Sequence, residues 1–334
     1  MKPLFLIVLA LLAACEAPSG QVELTGSTMG TQFTVKLPDG IGERDALALQ
    51  KEIEGSLEAV EQMMSTYLFE SEISHFNASR KTGWHEVSAD FCASVEQALT
   101  LSRQTDGAFD ITVGPLVNLW GFGPSGFIDA PPDGQRIEAV LGNVGYQHLE
   151  VDCEQPAIRK DIPKLVLDMS AFGKGYAVDR VAGLLDTMGF TDYLVEVGGE
   201  LRLRGRNAQD QLWAVGIEVP LPGRRTPHTV LHISDMTVAT SGDYRNFFEY
   251  EGELYSHTID TRTGTPVTHS LASVTVVDPL GARADALATA LLVLGPDEGM
   301  ALARREDLAV LFLLRDDEEI SEKATPAFEK LRTT

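Results

Sequence analysis

The chain has 334 residues, 44% of them hydrophobic, enough for a large core in one elaborate domain or two intimately packed halves. Its formal net charge is −22. So acidic a surface argues against binding a nucleic-acid backbone and against a polybasic membrane patch, while leaving room for one local basic or metal-lined pocket for an anion.

The N-terminal stretch MKPLFLIVLALLAAC sets one basic residue, Lys2, before an apolar run from Leu4 to Ala14. That run is too short to span a bilayer and fits a secretory signal. It ends in Leu12-Ala13-Ala14-Cys15, which resembles a bacterial lipobox and implies cleavage before Cys15 with a lipid on its sulfur. An ordinary signal peptide with an incidental cysteine is the other reading. Residues 1–14 are thus expected to be a signal peptide, 15–21 a lipidated tether and 22–334 the working domain. Loss of residues 1–14 removes one positive charge and takes the net from −22 to −23. A lipid on Cys15 would hold the domain on the periplasmic (outer) face of the cytoplasmic membrane without spanning it.

The segment Glu43–Met64 carries Leu49, Ile53, Leu57, Val60 and Met64 at helical spacing. A second helix is predicted through Phe91, Val95, Leu99 and Ser102, capped by Ser88 or Asp90 and ending at Gly107. A third, Lys174 to Met188, stops at Gly189, and a fourth, Ala282 to Leu294, stops at Gly295. Strand-like runs fall at 193–197, 212–219, 229–234, 272–277 and 309–314, and 221–228 reads as a loop. Early helices followed mostly by strands predict an α+β fold, with mixed or antiparallel sheets flanked by helices, rather than regular βαβ winding. With Cys15 lipidated, Cys92 and Cys153 remain, in a predicted helix and a predicted hairpin. An oxidising compartment would permit a bridge, but two unpaired, partly buried thiols are the expectation.

Glycine-rich segments need sorting. GFGPSG at 121–126 matches GxGxxG, yet no strand leads into it and prolines stand where a helix should open, so it is a loop and not a dinucleotide fingerprint. GKGY at 173–176 likewise lacks the rest of a phosphate-binding loop.

Several polar clusters could carry chemistry. In ADALATALLVLG (284–295), Asp285 and Thr289 are four apart, which on a helix places a carboxylate and a hydroxyl on one face. Both are hard oxygen donors suited to Mg²⁺; equally, Asp285 could cap the helix while Thr289 packs. In DMSAFGKGYAVD (168–179), the apolar KLVL just before reads as a strand turning into a helix. Free N–H groups there could hold an anion, a carbonyl such as that of Ala171 could face a metal, and Lys174 adds a charge. Gly198-Gly199 in VEVGGE predicts a bulge or a close approach to a ligand. TDGAFD (105–110) and ATSGDYR (239–245) are tight polar turns, and Met29 and Tyr67 offer soft or flat apolar contacts. Finally, SHTIDTRTGTP (256–266) contains His257 with Asp260 three residues on. On strand spacing His257 and Ile259 share one face and Asp260 the other, unless the chain turns there. His257 is either a satisfied structural histidine or a helper in proton transfer.

Taken in order, MGTQFTV, TVGPLVNLWGFG, DMSAFGKGYAVD, VEVGGELRLRG, TSGDYR, HTIDTRTG and ADALATALLVLG resemble the ApbE family, membrane-anchored FAD:protein FMN transferases, over about residues 22 to 315. The resemblance implies an ApbE-like fold with FAD in the cleft between two packed halves. It implies an Mg²⁺-dependent enzyme that attaches FMN through a phosphoester to a threonine of a target flavoprotein and releases AMP. The expected partners are FAD and acceptor flavoproteins such as subunits of ion-translocating redox complexes; no nucleic acid is expected. By the same resemblance Asp285, Thr289 and the Ala171 carbonyl are metal ligands. Met29, Tyr67, Asp106, Gly107, Ala108, Asp168, Lys174 and Ile259 line the FAD site, and His257 is catalytic, with Asp260 as an alternative base. The chain departs from the family pattern at Phe69 and Ile111, where Pro is frequent, and at Gly173, where Ala is. Rival expectations are an Mg²⁺-dependent FAD pyrophosphatase and a non-enzymatic periplasmic flavin-binding lipoprotein.

Overall fold

The computed structural model describes residues 20–221, 226–243, 246–316 and 319–332. The signal segment and Cys15 lie outside the described residues, as does all of the tether but its last two positions. The central element is an eight-stranded sheet. In spatial order its strands are Val22–Thr28, Thr31–Leu37, Tyr193–Val197, Glu200–Arg204, Thr237–Gly242, Leu271–Asp278, Ala309–Asp316 and Glu319–Ala324. Every ladder between these strands is antiparallel. The fold is α+β as expected, but the "mixed" option falls away: the one parallel pairing described is an isolated bridge, Val113 to Val166.

Alternation along the strands sends side chains into a separate cluster on each face of the sheet, and a third cluster gathers Leu116, Trp120, Val144 and Ile259. Val310, Phe312 and Leu314 join the larger cluster, which also holds residues of the helices Glu43–Met64, Ser170–Thr187 and Gly281–Arg305. Leu311 and Leu313 join the one on the other face, with Trp213 and Leu231 from the hairpin Trp213–Glu218/Pro227–Ile233 and Phe328 from the helix Pro326–Arg332. Strand Leu271–Asp278 is buried at all eight positions, which explains why its sequence does not alternate apolar with charged residues, its polar members Ser273, Thr275 and Asp278 being buried as well.

The helix Glu43–Met64 has the predicted bounds, and Ala89–Gln104 begins behind Ser88, whose hydroxyl accepts from Phe91 N–H at 3.2 Å. Two helices differ from expectation. One starts at Ser170, a turn before Lys174, and KLVL contributes only the Val166 bridge instead of a strand. The other breaks at Gly295 (φ 77°) as predicted, yet Pro296 opens a further helical segment to Arg305. Proline suits a first helical turn, where its missing N–H has no partner to lose. The predicted loop 221–228 also gives way, since Pro227 and His228 belong to a strand and 222–225 lie outside the described residues. The helices Glu72–Ala78, Gly114–Leu119 and Gly134–Leu141 are too short to show a periodic stripe and were not expected.

The cysteines correct a second expectation. Cys92 and Cys153 form a disulfide, with their Cα atoms 5.8 Å apart. The helix Ala89–Gln104 packs beside the strand Leu149–Asp152, a proximity invisible in a sequence separation of 61 residues. On the loop-closure model a bridge of this span adds ~4 kcal/mol. Denaturant unfolding with and without dithiothreitol should show a loss of that order on reduction; an unchanged midpoint would mean the thiols are unpaired.

Candidate functional site

A cleft of about 410 Å³ opens where the start of helix Ser170–Thr187, the first turns of helix Gly281–Arg305, the Gly198-Gly199 turn and the segment 257–261 meet. Its size falls within the range of small-ligand sites. The two helices cross at a pair of glycines. A Cβ on Gly175 would strike the Gly281 carbonyl and lie 2.7 Å from the Asp285 Cβ, while one on Gly281 would strike the Gly175 carbonyl. Only glycine at both positions allows so close an approach.

The crossing sets Asp285. The start of its helix is capped from the neighbouring helix by Asp179, which accepts from Gly281 N–H at 2.8 Å and Ala282 N–H at 2.9 Å. Asp285 is therefore free of the capping role and sits a turn inside, 3% exposed, on the cleft wall. Its Oδ2 accepts from Gly175 N–H at 2.9 Å. In a regular helix that N–H belongs to the Ala171 carbonyl, so Ala171 shares or loses its donor where it faces the cleft. Thr289, one turn on from Asp285, also lines the cleft, with its hydroxyl 2.9 Å from that of Ser241. A carboxylate, a hydroxyl and a carbonyl are hard donors that fit Mg²⁺ and leave positions for water or phosphate oxygens. Among the described residues no group of three His, Cys, Asp or Glu side chains offers a rival metal site.

Lys174 reaches into the same cleft. Its ammonium donates to Glu200 and lies 3.7 Å from Asp285 Oδ1. Burial alone would lower it, but Asp285 and then Glu200 outweigh burial and hold Lys174 above the ordinary lysine value. Glu200 carries no role in the sequence reading, although VEVGGE was singled out. Its signal was there: a carboxylate directly after two glycines that turn out to form a tight hairpin turn (φ 58° and 101°) rather than a bulge. Thr240 and Ser241, inside the TSGDYR segment, are further cleft residues the sequence did not assign.

His257 lines the cleft, and its Nδ1 lies 3.0 Å from the Asn246 carbonyl oxygen. A carbonyl only accepts, so Nδ1 carries the hydrogen and the neutral ring leaves Nε2 with a lone pair. Burial pushes the imidazole below its ordinary pKa, Asn246 pulls the other way, and the Lys174 charge adds to the lowering. His257 is thus neutral near pH 7, with a basic nitrogen in a ligand-sized cleft.

The other expected residues divide. Tyr67, Ala108, Asp168 and Ile259 line the cleft. Asp168 Oδ1 accepts from Ser170 N–H at 2.8 Å, and burial, then Asp168, raises the Tyr67 phenol. Met29, Asp106, Gly107 and Asp260 are off the cleft wall. Met29 N–H donates to Glu61 at 2.7 Å in the turn between the first two strands. Asp106 and Gly107 form a left-handed turn (φ 50° and 80°) whose Gly107 carbonyl accepts from Thr261 at 2.6 Å, so they buttress the wall behind Ala108. His257, Thr258, Ile259 and Thr261 line the cleft while Asp260 does not, because the chain bends at His257 and turns again after the two-residue strand Ile259–Asp260. Arg262 holds both carboxylate oxygens of Asp260, with Nε at 2.9 and 3.1 Å and a terminal nitrogen at 2.8 Å. This side chain is a poor candidate for a base.

The ApbE family model matches residues 29–312. The FAD:protein FMN transferase of Vibrio cholerae is 42% identical over 321 residues, covering 96% of each chain. That of Escherichia coli K12 is 40% identical, covering 92% of this chain and 88% of its own. The solved flavin transferase ApbE from Vibrio cholerae superposes with a TM-score of 0.86 at 40% identity, covering 94% of this chain and all of the other. The apo flavinyl transferase ApbE of Pseudomonas stutzeri gives 0.85 at 38% identity, covering 94% and 97%.

Proposed function

The chain belongs to the ApbE family, and on that premise we propose that it does what its relatives are named for: it is an FAD:protein FMN transferase. The finer reading is that FMN is joined through a phosphoester to a threonine hydroxyl of an acceptor flavoprotein, with AMP released. The observation that carries it is the meeting of a hard-donor set, Asp285, Thr289 and Ala171, with the basic Nε2 of His257 in one cleft.

The chemistry asks for two things. A threonine hydroxyl is a weak nucleophile until a base takes its proton, and the site must balance the charge of a diphosphate. His257 accepts the threonine proton at Nε2 while the Asn246 carbonyl fixes the ring through Nδ1–H. The threonine oxygen then bonds to the FMN-side phosphorus, the bond to the AMP oxygen breaks, and the proton leaves through His257 to solvent. Lys174 presents a fixed positive charge to the diphosphate, while Tyr67 and Phe122 offer aromatic surface to the bound dinucleotide. Asp285, Thr289 and the Ala171 carbonyl would hold Mg²⁺, which would supply further neutralisation of the phosphate oxygens.

The disulfide fits an oxidising compartment. With the N-terminal pattern it supports a lipid-anchored enzyme on the outer face of the cytoplasmic membrane, where subunits of ion-translocating redox complexes would present the acceptor threonine. The test is incubation with FAD, Mg²⁺ and a threonine-bearing acceptor. Flavin retained by the denatured acceptor, with AMP formed in equal amount, is the expected result. Free FMN and AMP alone would instead mark an FAD pyrophosphatase that uses water in the same cleft.

A further inference from the structure

Glu200 opens the strand Glu200–Arg204 on the cleft wall, 2% exposed. One carboxylate oxygen accepts from the Lys174 ammonium; the other is buried with no hydrogen-bond partner among the described residues. The same ammonium lies 3.7 Å from Asp285 Oδ1, within ion-pair range and outside hydrogen-bond range. The lysine stem is steered as well. Gly198 has φ 58°, and a Cβ there would lie 2.9 Å from Thr31 Cγ2 and 3.1 Å from Lys174 Cδ. The stem runs past a point where only glycine leaves room.

Stability does not explain this arrangement, because an apolar pair of similar volume generally serves a fold as well as a buried ion pair. The charges suggest another purpose. One ammonium stands between two carboxyl groups; burial pushes the Glu200 carboxyl above its ordinary value while Lys174 pulls it back, and with both carboxylates ionised the group carries a net of −1. Were Lys174 to move the remaining distance it would hydrogen-bond Asp285 and compete with a divalent cation for that carboxylate. Glu200 makes the shorter contact and prevents this.

We propose that Glu200 is a positioning residue that holds the Lys174 ammonium off Asp285, keeping that carboxylate open to a divalent cation while Lys174 stays beside it as a second positive charge facing the diphosphate. The proposal rests on the metal site described above, so the experiment separates the two. Mn²⁺ binding to the full chain is measured by titration calorimetry without FAD. Loss of binding in Asp285→Ala is expected; wild-type binding in that variant would overturn the metal site and the proposal with it. With the site established, Glu200→Gln and Glu200→Asp should each weaken Mn²⁺ binding on the order of tenfold, as Lys174 closes on Asp285. Adding Lys174→Met to Glu200→Gln should restore it. Glu200→Asp keeps the charge and withdraws the carboxylate from Lys174 by one methylene. If it binds Mn²⁺ as the wild type does while Glu200→Gln does not, charge alone matters and positioning is overturned. Should the single variants fail to fold, the Glu200→Gln/Lys174→Met pair, which leaves neither charge uncompensated, still decides. Affinity at or above wild type upholds the proposal, and weaker binding overturns it.

Discussion

Replacing His257 with alanine should slow flavin transfer about 10²–10⁴-fold, the usual contribution of a positioned general base, while leaving FAD bound. The split follows from geometry. The imidazole contributes one wall of the cleft, while the proposed contacts to the diphosphate are Lys174 and the Asp285 helix, so a bound dinucleotide should keep most of its binding surface. The Nδ1–H bond to Asn246 leaves Nε2 as the basic atom, while Asp260, the alternative base, is bound to Arg262. The pH profile gives a second readout. On the proposed mechanism neutral His257 is the active form, and burial lowers its pKa from the ordinary 6.5. Activity should hold as pH falls through 6.5 and decline only at more acidic values, and this limb should vanish in the alanine variant. Unchanged transfer by that variant would remove His257 from the reaction.

Asp285→Ala, or EDTA treatment of the wild type, should reduce transfer by ~10³-fold or more. A bound divalent ion stabilises a transferring phosphoryl group by several kcal/mol, and each ~1.4 kcal/mol is a factor of ten in rate. Added Mg²⁺ should restore the chelated wild type and leave the variant inactive. Loss of the carboxylate also leaves Gly175 N–H without its acceptor and Lys174 with Glu200 alone, so circular dichroism should accompany the assay to confirm that the helix crossing survives. Full activity in EDTA would remove the metal from the account.

These two positions also show what a sequence of this kind reveals. The Asp285–Thr289 spacing was legible because helical geometry fixes it locally. The long helix Glu43–Met64 and the strand Tyr193–Val197 emerged with their observed bounds because each carries its own periodic stripe. What stayed hidden depends on contacts distant in sequence. Asp179 caps a helix that begins 102 residues later, so Asp285 itself looked like a candidate cap. Cys92 and Cys153 meet only after the helix Ala89–Gln104 packs beside the strand Leu149–Asp152. Glu200 becomes meaningful only when a tight Gly-Gly turn and a helix crossing bring it to Lys174, and Arg262 disqualifies Asp260 only once the turn folds. Of the positions the family resemblance singled out, Tyr67, Ala108, Asp168, Lys174, Ile259, His257, Ala171, Asp285 and Thr289 lie on the cleft wall, while Met29, Asp106, Gly107 and Asp260 do not.

The most direct measurement is the anomalous scattering of Mn²⁺ in crystals of the protein soaked with FAD. A peak at coordination distance from an Asp285 oxygen, the Thr289 hydroxyl and a phosphate oxygen of the dinucleotide, with His257 Nε2 facing the FMN-side phosphate, is the predicted result. A peak elsewhere, or FAD bound away from the crossing of Gly175 and Gly281, would contradict it.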